Sequence, residues 1–125
     1  LGQIEGGFIQ GVGWLTTEEL VWDESGKLKT HAPSTYKIPL ASDTPEIFNI
    51  SILKDNPNPR PTIKRSKAVG EPPFMLSISV LEALSMAVSS VFDNSVCPNL
   101  GTPATPENLL LTIEKLKRQN DIKGF

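Results

Sequence analysis

Two adjacent prolines, Pro72 and Pro73, constrain this 125-residue chain more than any other feature of its sequence. The residue before a proline is pushed out of the α region, so the backbone that carries Glu71 is stiff. The stretch 74–92 that follows is apolar apart from serines and Glu82. The sequence therefore predicts a long buried helix after Pro73, with the Glu71 carboxylate at its N-terminal end. The helix dipole favours a negative charge at that position, whereas burial in an apolar pocket acts against it.

Residues 2–20 carry apolar side chains at spacings of three and four, which is typical of a helix. Glycines interrupt the pattern at Gly2, Gly6, Gly7, Gly11 and Gly13. Each glycine weakens a helix by about 1 kcal/mol relative to alanine, so close contact with a helix, a strand or a flat ligand is expected to compensate. Gln3 and Gln10 lie about two turns apart on this glycine face, and their amides are suited to hydrogen bonding with a polar heterocycle. Neither a dinucleotide fingerprint nor a P-loop fits the glycines.

The other segments predict strands and a last helix. Two short runs around a turn with Gly26 predict a β-hairpin over residues 20–30, and apolar–polar alternation predicts a half-buried strand over 47–53. Residues 62–66 are interpreted as a second strand. Thr105 as N-cap and Pro106 as first helical residue predict a C-terminal helix with one apolar face. That face comprises Leu109, Leu110, Ile113 and Leu116. The predicted fold class is α+β, with a glycine-rich helix, a hairpin and short strands, a long buried helix and a C-terminal helix.

Composition restricts the partners of the chain. Fourteen acidic and twelve basic residues give a formal charge of −2, which provides no electrostatic footprint for nucleic acid or a membrane surface. The serines and Glu82 are expected to keep the stretch 74–92 short of a membrane span. The single cysteine, Cys97, cannot form an internal disulfide or an iron–sulfur ligand set and is compatible with a reducing cytoplasm. No metal ligand is assigned, since His31 is the only histidine. Because residues 1–4 enter a helical pattern without a cap or an initiator methionine, we interpret the chain as a fragment of a larger fold.

Four blocks of sequence carry a resemblance to a known family. They are Gly2-Gln3-Ile4-Glu5-Gly6-Gly7-Phe8-Ile9-Gln10-Gly11-Val12-Gly13, Thr17-Glu18-Glu19-Leu20, Pro33-Ser34-Thr35-Tyr36-Lys37-Ile38-Pro39 and Ser66-Lys67-Ala68-Val69-Gly70-Glu71-Pro72-Pro73. In order and separation they resemble the molybdenum hydroxylases, in particular the molybdopterin-binding large subunit of bacterial xanthine dehydrogenases. The resemblance implies that residues 1–125 are the C-terminal portion of a molybdopterin-binding domain.

The resemblance also implies roles for three residues. Glu71 matches the catalytic base of the family, Gln3 matches a glutamine that hydrogen-bonds the pterin cofactor, and Gly70 would let cofactor and substrate approach the main chain. The implied reaction is hydroxylation of a purine ring carbon of xanthine or hypoxanthine. The implied cofactor is molybdenum-molybdopterin, with iron–sulfur clusters and FAD in other parts of the enzyme.

Two other readings stay open. One is an aldehyde oxidase-type molybdenum hydroxylase, although the block 33–39 favours the purine enzyme. The other is a non-catalytic structural module of the same fold, in which Glu71 only caps its helix and Gln3 packs in a domain interface. The implied partners are the remainder of the molybdopterin-binding subunit, an iron–sulfur and FAD subunit and a purine, in a heteromeric, cytoplasmic enzyme of purine catabolism. The resemblance implies that the substrate-orienting residues lie outside this chain, so the isolated chain is expected to be inactive.

Overall fold

The chain is a set of α-helices joined by irregular segments. The computed structural model describes residues 1–67 and 71–123, without the side chains of 121–123. Its helices are α1 (Gly2–Thr16), α2 (Glu71–Met75), α3 (Ile78–Ser90) and α4 (Pro106–Lys123). Short 3₁₀ turns occur at Ala41–Asp43 and Ile63–Arg65. The predicted glycine-rich and C-terminal helices are therefore present, and α1 packs against α2 and α3.

The α+β prediction is wrong, because no β-strand occurs among residues 1–67 and 71–123. The predicted hairpin reduces to one antiparallel bridge between Trp22 and Leu28. The predicted turn with Gly26 does form, since the Lys29 N–H donates to the Val21 carbonyl at 2.7 Å and Gly26 has a φ of 79°. One bridged pair is too short to count as a ladder, and an isolated two-stranded ribbon is marginal in water.

The strands predicted at 47–53 and 62–66 are also absent. Residues 47–53 have no regular secondary structure, although the Phe48 ring packs at a tilt of 42° against Phe8 of α1, with ring centroids 5.5 Å apart. Residues 62–66 instead form a 3₁₀ turn in which Lys64 and Arg65 have φ values of 49° and 56°. Alternation describes which side chains share a face, but a strand also needs a neighbouring backbone to receive its hydrogen bonds.

The single buried helix predicted after Pro73 is interrupted and largely exposed. Ser77 and Ser79 donate their hydroxyls to the carbonyls three residues earlier, at 2.7 and 2.8 Å. Backbone bonds of the same i to i−3 type form at Ser77, Ser79 and Val80. Serine hydroxyls that compete for backbone carbonyls distort a helix, which accounts for the break between α2 and α3. Met86 on α3 is 70% exposed whereas Val88 on the same helix is buried, so only one side of α3 belongs to the core.

The segment Glu71–Ser90 is long and apolar enough to cross a bilayer by length and composition alone. The expectation that serines and Glu82 would keep it short of a span is therefore not met by this measure. A single helix of this kind is weak evidence, because core helices of soluble proteins pass the same test.

A small core joins α3 to the C-terminal part of the chain. Its buried members are Val88, Leu100 and Ala104. The Ala104 N–H also donates to the Leu15 carbonyl at 2.7 Å, which ties the end of α1 to this core. The predicted N-cap of α4 is confirmed, since the Thr105 hydroxyl accepts the Asn108 N–H at 3.2 Å. Leu109, Ile113 and Leu116 of the predicted apolar face pack on the core, whereas Leu110 is 60% exposed.

Candidate functional site

A hollow of about 710 Å³ lies between α1 and α2. One face of α1 provides its floor, and α2 provides its wall. The floor residues are Gly2, Gln3, Gly6, Gly7, Gln10 and Trp14, and the wall residues are Glu71, Phe74 and Met75. The volume falls within the range of small-molecule sites.

The glycines of α1 serve two different purposes. A Cβ built on Gly2 or Gly6 would meet nothing within 4 Å, so these positions leave the helix backbone open to the hollow. Gly13 is the opposite case, because an added Cβ would lie 2.5 Å from Pro39 Cδ. The expected close approach to the glycines occurs at the C-terminal end of α1, where protein atoms pack against Gly13. The N-terminal end, with Gly2 and Gly6, leaves room for a flat ligand.

Gly11 lies where α1 crosses the end of α2. A Cβ on Gly11 would lie 2.5 Å from the Phe74 carbonyl oxygen and 2.9 Å from Ser77 Cβ. Three residues further along α1, the Trp14 ring meets the Phe74 ring edge to face, with centroids 5.0 Å apart. These contacts hold α2 against α1 at the inner end of the hollow.

Glu71 and Gln3, the two predicted site residues that the structure describes, line the same hollow. Glu71 is the first residue of α2 and its side chain is exposed. The two ion pairs found among the described residues, Lys29–Asp23 and Lys117–Glu114, do not involve it. The third predicted site residue, Gly70, lies outside the described residues. The roles assigned to all three stay predictions.

The residues of the hollow fit a flat, polar heterocycle. Two side-chain amides, from Gln3 and Gln10, offer donors and acceptors, and the glycine positions leave the helix backbone uncovered. Aromatic and thioether side chains, from Trp14, Phe74 and Met75, supply apolar contact. No cluster of three or more His, Cys, Asp or Glu occurs in the described part of the chain. The described residues of the hollow are therefore suited to contact an organic ligand and do not form a set of metal ligands.

Sequence reasoning missed Trp14, Phe74 and Met75 as lining residues. A signal for Trp14 was present, since Gln3, Gln10 and Trp14 are spaced by seven and four residues and share a helix face. Phe74 and Met75 were assigned to a buried helix, and their exposure to the hollow depends on the break after α2. His31 lies elsewhere, in a separate apolar hollow of about 400 Å³ next to Tyr36.

The loop 31–39 is fastened to the C-terminal end of α1. The Tyr36 hydroxyl donates to Glu18 Oε2 at 2.5 Å, and the Thr17 hydroxyl donates to the Lys37 carbonyl at 2.8 Å. The hydrogen bond to Glu18 is the main cause that raises the pKa of Tyr36, with desolvation and the charge of Glu18 acting in the same direction. Together with the tight contact between Gly13 and Pro39, these bonds fix where α1 ends.

Comparisons with known proteins bear on the family to which the chain is related. Residues 1–45 match the family model of the molybdopterin cofactor-binding domain. Xanthine dehydrogenase 2 of Arabidopsis thaliana is 44% identical over 119 residues, which cover 87% of this chain and 9% of that protein. Xanthine dehydrogenase of Dictyostelium discoideum and xanthine dehydrogenase/oxidase of Gallus gallus are each 46% identical over 112 residues, which cover 87% of this chain and 8% of each relative.

The chain thus spans less than a tenth of the length of these relatives. The match includes α1, which forms the floor of the hollow, and the matched family is named for the predicted cofactor, molybdopterin. The resemblance seen in the sequence is confirmed, and the bacterial origin suggested with it stays a prediction. Residues 1–45 thus match the molybdopterin cofactor-binding domain family, and 87% of the chain is similar to a segment of xanthine dehydrogenases at about 45% identity.

Proposed function

We propose that this chain is part of a molybdenum hydroxylase that oxidises xanthine or hypoxanthine, and that Glu71 is its catalytic base. The observation that carries the proposal is the shared hollow, in which Glu71 faces the same space as Gln3 and the open glycines of α1. The relatives named xanthine dehydrogenase favour a purine substrate.

Each residue has a distinct task in this proposal. When bound, the molybdenum cofactor supplies the two-electron oxidation of the substrate. The Gln3 amide would hold the pterin by donating and accepting hydrogen bonds, and Gly2 and Gly6 leave the neighbouring backbone uncovered. A carboxylate oxygen of Glu71 accepts the proton that is released as the ring carbon is hydroxylated. A base must reach its proton, and the short helix α2 presents Glu71 to the hollow at its first residue.

The wider assignment belongs to the same proposal. Residues 1–125 form the C-terminal portion of a molybdopterin-binding domain whose remaining walls come from the rest of that subunit. Iron–sulfur clusters and FAD are carried by other parts of a heteromeric, cytoplasmic enzyme of purine catabolism. The exposed and unpaired Cys97 is compatible with a reducing compartment.

Glu71→Gln in the cofactor-loaded full-length enzyme tests the role of Glu71. The amide keeps the shape of the side chain but cannot accept the proton, so kcat with xanthine should fall by about 10²- to 10⁴-fold. Molybdenum and pterin content per subunit should not change, because Gln3 and the α1 backbone remain in place.

Glu82→Gln is the matched control, since Glu82 is an exposed acid on α3 outside this hollow. It should leave turnover unchanged. Full activity of Glu71→Gln would reject the catalytic role and favour a structural module. Assaying the unmodified enzyme with an aromatic aldehyde as well as xanthine separates the purine enzyme from an aldehyde oxidase type.

A further inference from the structure

We propose that Gly11 and Ser77 are positioning residues that set where Glu71 lies relative to Gln3. The inference rests on the proposed function, because it gives these two residues an effect only through the base. It starts from the contact of Gly11 on α1 with the end of α2, where an added Cβ would have no room.

The contact is tight on both sides. Ser77 is 2% exposed, and its hydroxyl donates to the Phe74 carbonyl at 2.7 Å, while its own N–H donates to the same oxygen at 3.2 Å. Gly11 faces this pair, and an added Cβ would lie 2.5 Å from the Phe74 carbonyl oxygen. That oxygen belongs to the backbone, so no rotation of a side chain could relieve the overlap. The helices would have to move apart.

A displacement of α2 at Phe74 would move Glu71 by nearly the same distance. The helix α2 has five residues, Glu71–Met75, so the base and the contact at Phe74 lie on one short, rigid element. Pro72 and Pro73 stiffen the backbone between them, and Pro73 is buried. The Trp14 ring packed on Phe74 ties α2 to the same α1 helix that carries Gln3. A shift at Gly11 therefore changes the separation of the base from the cofactor-side amide, and a displacement of about 1 Å can cost about 10²-fold in rate.

Gly11→Ala in the cofactor-loaded full-length enzyme tests the proposal, with xanthine as substrate. We expect kcat to fall about 10- to 100-fold, while KM and molybdenum content change by less than about twofold. Gly13→Ala is the matched control, because it adds the same methyl group to the same helix and crowds Glu18 and Pro39 instead of α2. A kcat loss in Gly13→Ala as large as that in Gly11→Ala would overturn the proposal.

A double variant separates positioning from general damage. If Gly11 acts through the base, Gly11→Ala should have no further effect on kcat once Glu71→Gln is present. A loss in the double variant equal to the product of the two single losses would show that Gly11 acts independently, and the proposal would be wrong. Full activity of Glu71→Gln alone would instead remove the proposed function itself, and this inference with it.

Ser77→Ala covers the case in which Gly11→Ala does not assemble with cofactor. This variant keeps the buried Cβ and removes only the hydroxyl that holds the Phe74 carbonyl. We expect a several-fold loss in kcat that disappears in the Glu71→Gln background. A loss of the same size in both backgrounds, or no loss in either, would reject the role of Ser77 and of the contact.

Discussion

At the scale of single residues, the Tyr36–Glu18 hydrogen bond shows how one side-chain pair holds a long loop in place. The bond spans 18 positions in sequence and measures 2.5 Å. Because the phenol donates to a carboxylate, removal of its proton would replace a hydrogen bond with repulsion between two negative charges. The raised pKa of Tyr36 follows first from this bond. The loop 31–39 is thus best held while the phenol is protonated.

A spectroscopic titration can measure this effect, because Tyr36 is the only tyrosine of the chain. In the isolated chain, the near-ultraviolet absorbance of tyrosinate should appear at higher pH in native buffer than in concentrated urea. A folded pKa above the unfolded one means that the stabilisation is fully present below the unfolded pKa and is lost as pH rises through the folded pKa.

Glu18→Gln is the control for the cause of the shift. This variant should bring the native titration of Tyr36 towards the curve in urea, since a neutral amide oxygen accepts a weaker hydrogen bond from the phenol and the charge of Glu18 is gone. Identical curves in native buffer and in urea for the unmodified chain would contradict the Tyr36–Glu18 bond.

At the scale of elements, Asp23 organises a turn without a sheet. One carboxylate oxygen of Asp23 accepts hydrogen bonds from the Ser25 hydroxyl, the Ser25 N–H and the Lys27 N–H at 2.6, 3.0 and 3.0 Å. The Ser25 hydroxyl is the largest cause that lowers the pKa of Asp23, followed by the Lys27 N–H. Side chains of this type commonly replace ladder bonds at turns. The segment therefore has hairpin shape with only one bridged pair.

Asp23→Ala should loosen this turn without disturbing α1. The Lys27 and Lys29 amides should exchange hydrogen faster, on the order of tenfold, because the side-chain acceptor that closes the turn is gone. Hydrogen exchange followed by nuclear magnetic resonance measures this change, with the Thr17 amide at the end of α1 as internal reference.

In the unmodified chain, protection at Lys27 should be lost as pH falls through the lowered pKa of Asp23, since a carboxyl group with a lowered pKa stabilises the turn only while it is ionised. Unchanged exchange in Asp23→Ala would contradict the turn.

The sequence predicted the helices better than the strands, for a physical reason. Local periodicity of apolar residues predicts α1 and α4, and Thr105 and Pro106 also indicate where α4 begins. Strands at 47–53 and 62–66 required hydrogen-bond partners that local patterns do not encode. In the candidate site, Gln3 and Glu71 line one hollow, and their predicted roles stay predictions. The Gly11–Ser77 contact was out of reach, because it depends on how two helices cross.

At the scale of the whole molecule, the chain exposes more surface than its mass requires. Its accessible surface is 9946 Å², whereas a compact monomer of 13.6 kDa exposes about 6,500 Å². Large apolar side chains contribute to the excess, and Ile47, Leu53 and Ile63 are 81%, 76% and 88% exposed. Exposed apolar area of this kind marks interaction surfaces. The observation supports the proposal that other parts of a larger enzyme cover this chain.

The isolated chain should therefore self-associate and bind an apolar fluorescent dye. Leu53→Lys and Ile63→Lys should each reduce both effects, because they remove exposed apolar area without emptying the core. Sedimentation velocity and dye fluorescence are the measurements. Asn49→Lys is the control, as it adds the same charge at an exposed polar position, and an equal improvement there would assign the effect to charge alone.

The uneven crowding along α1 has a practical consequence for engineering. An added Cβ at Gly6 would meet nothing within 4 Å, and Gly6 lines the hollow, so we expect a side chain introduced there to occupy space in the hollow. The size of the side chain at position 6 should therefore control how easily a ligand enters the hollow, without unfolding the chain. Such a plugged version would give biochemists an assembled but blocked enzyme, in which subunit contacts can be studied apart from turnover.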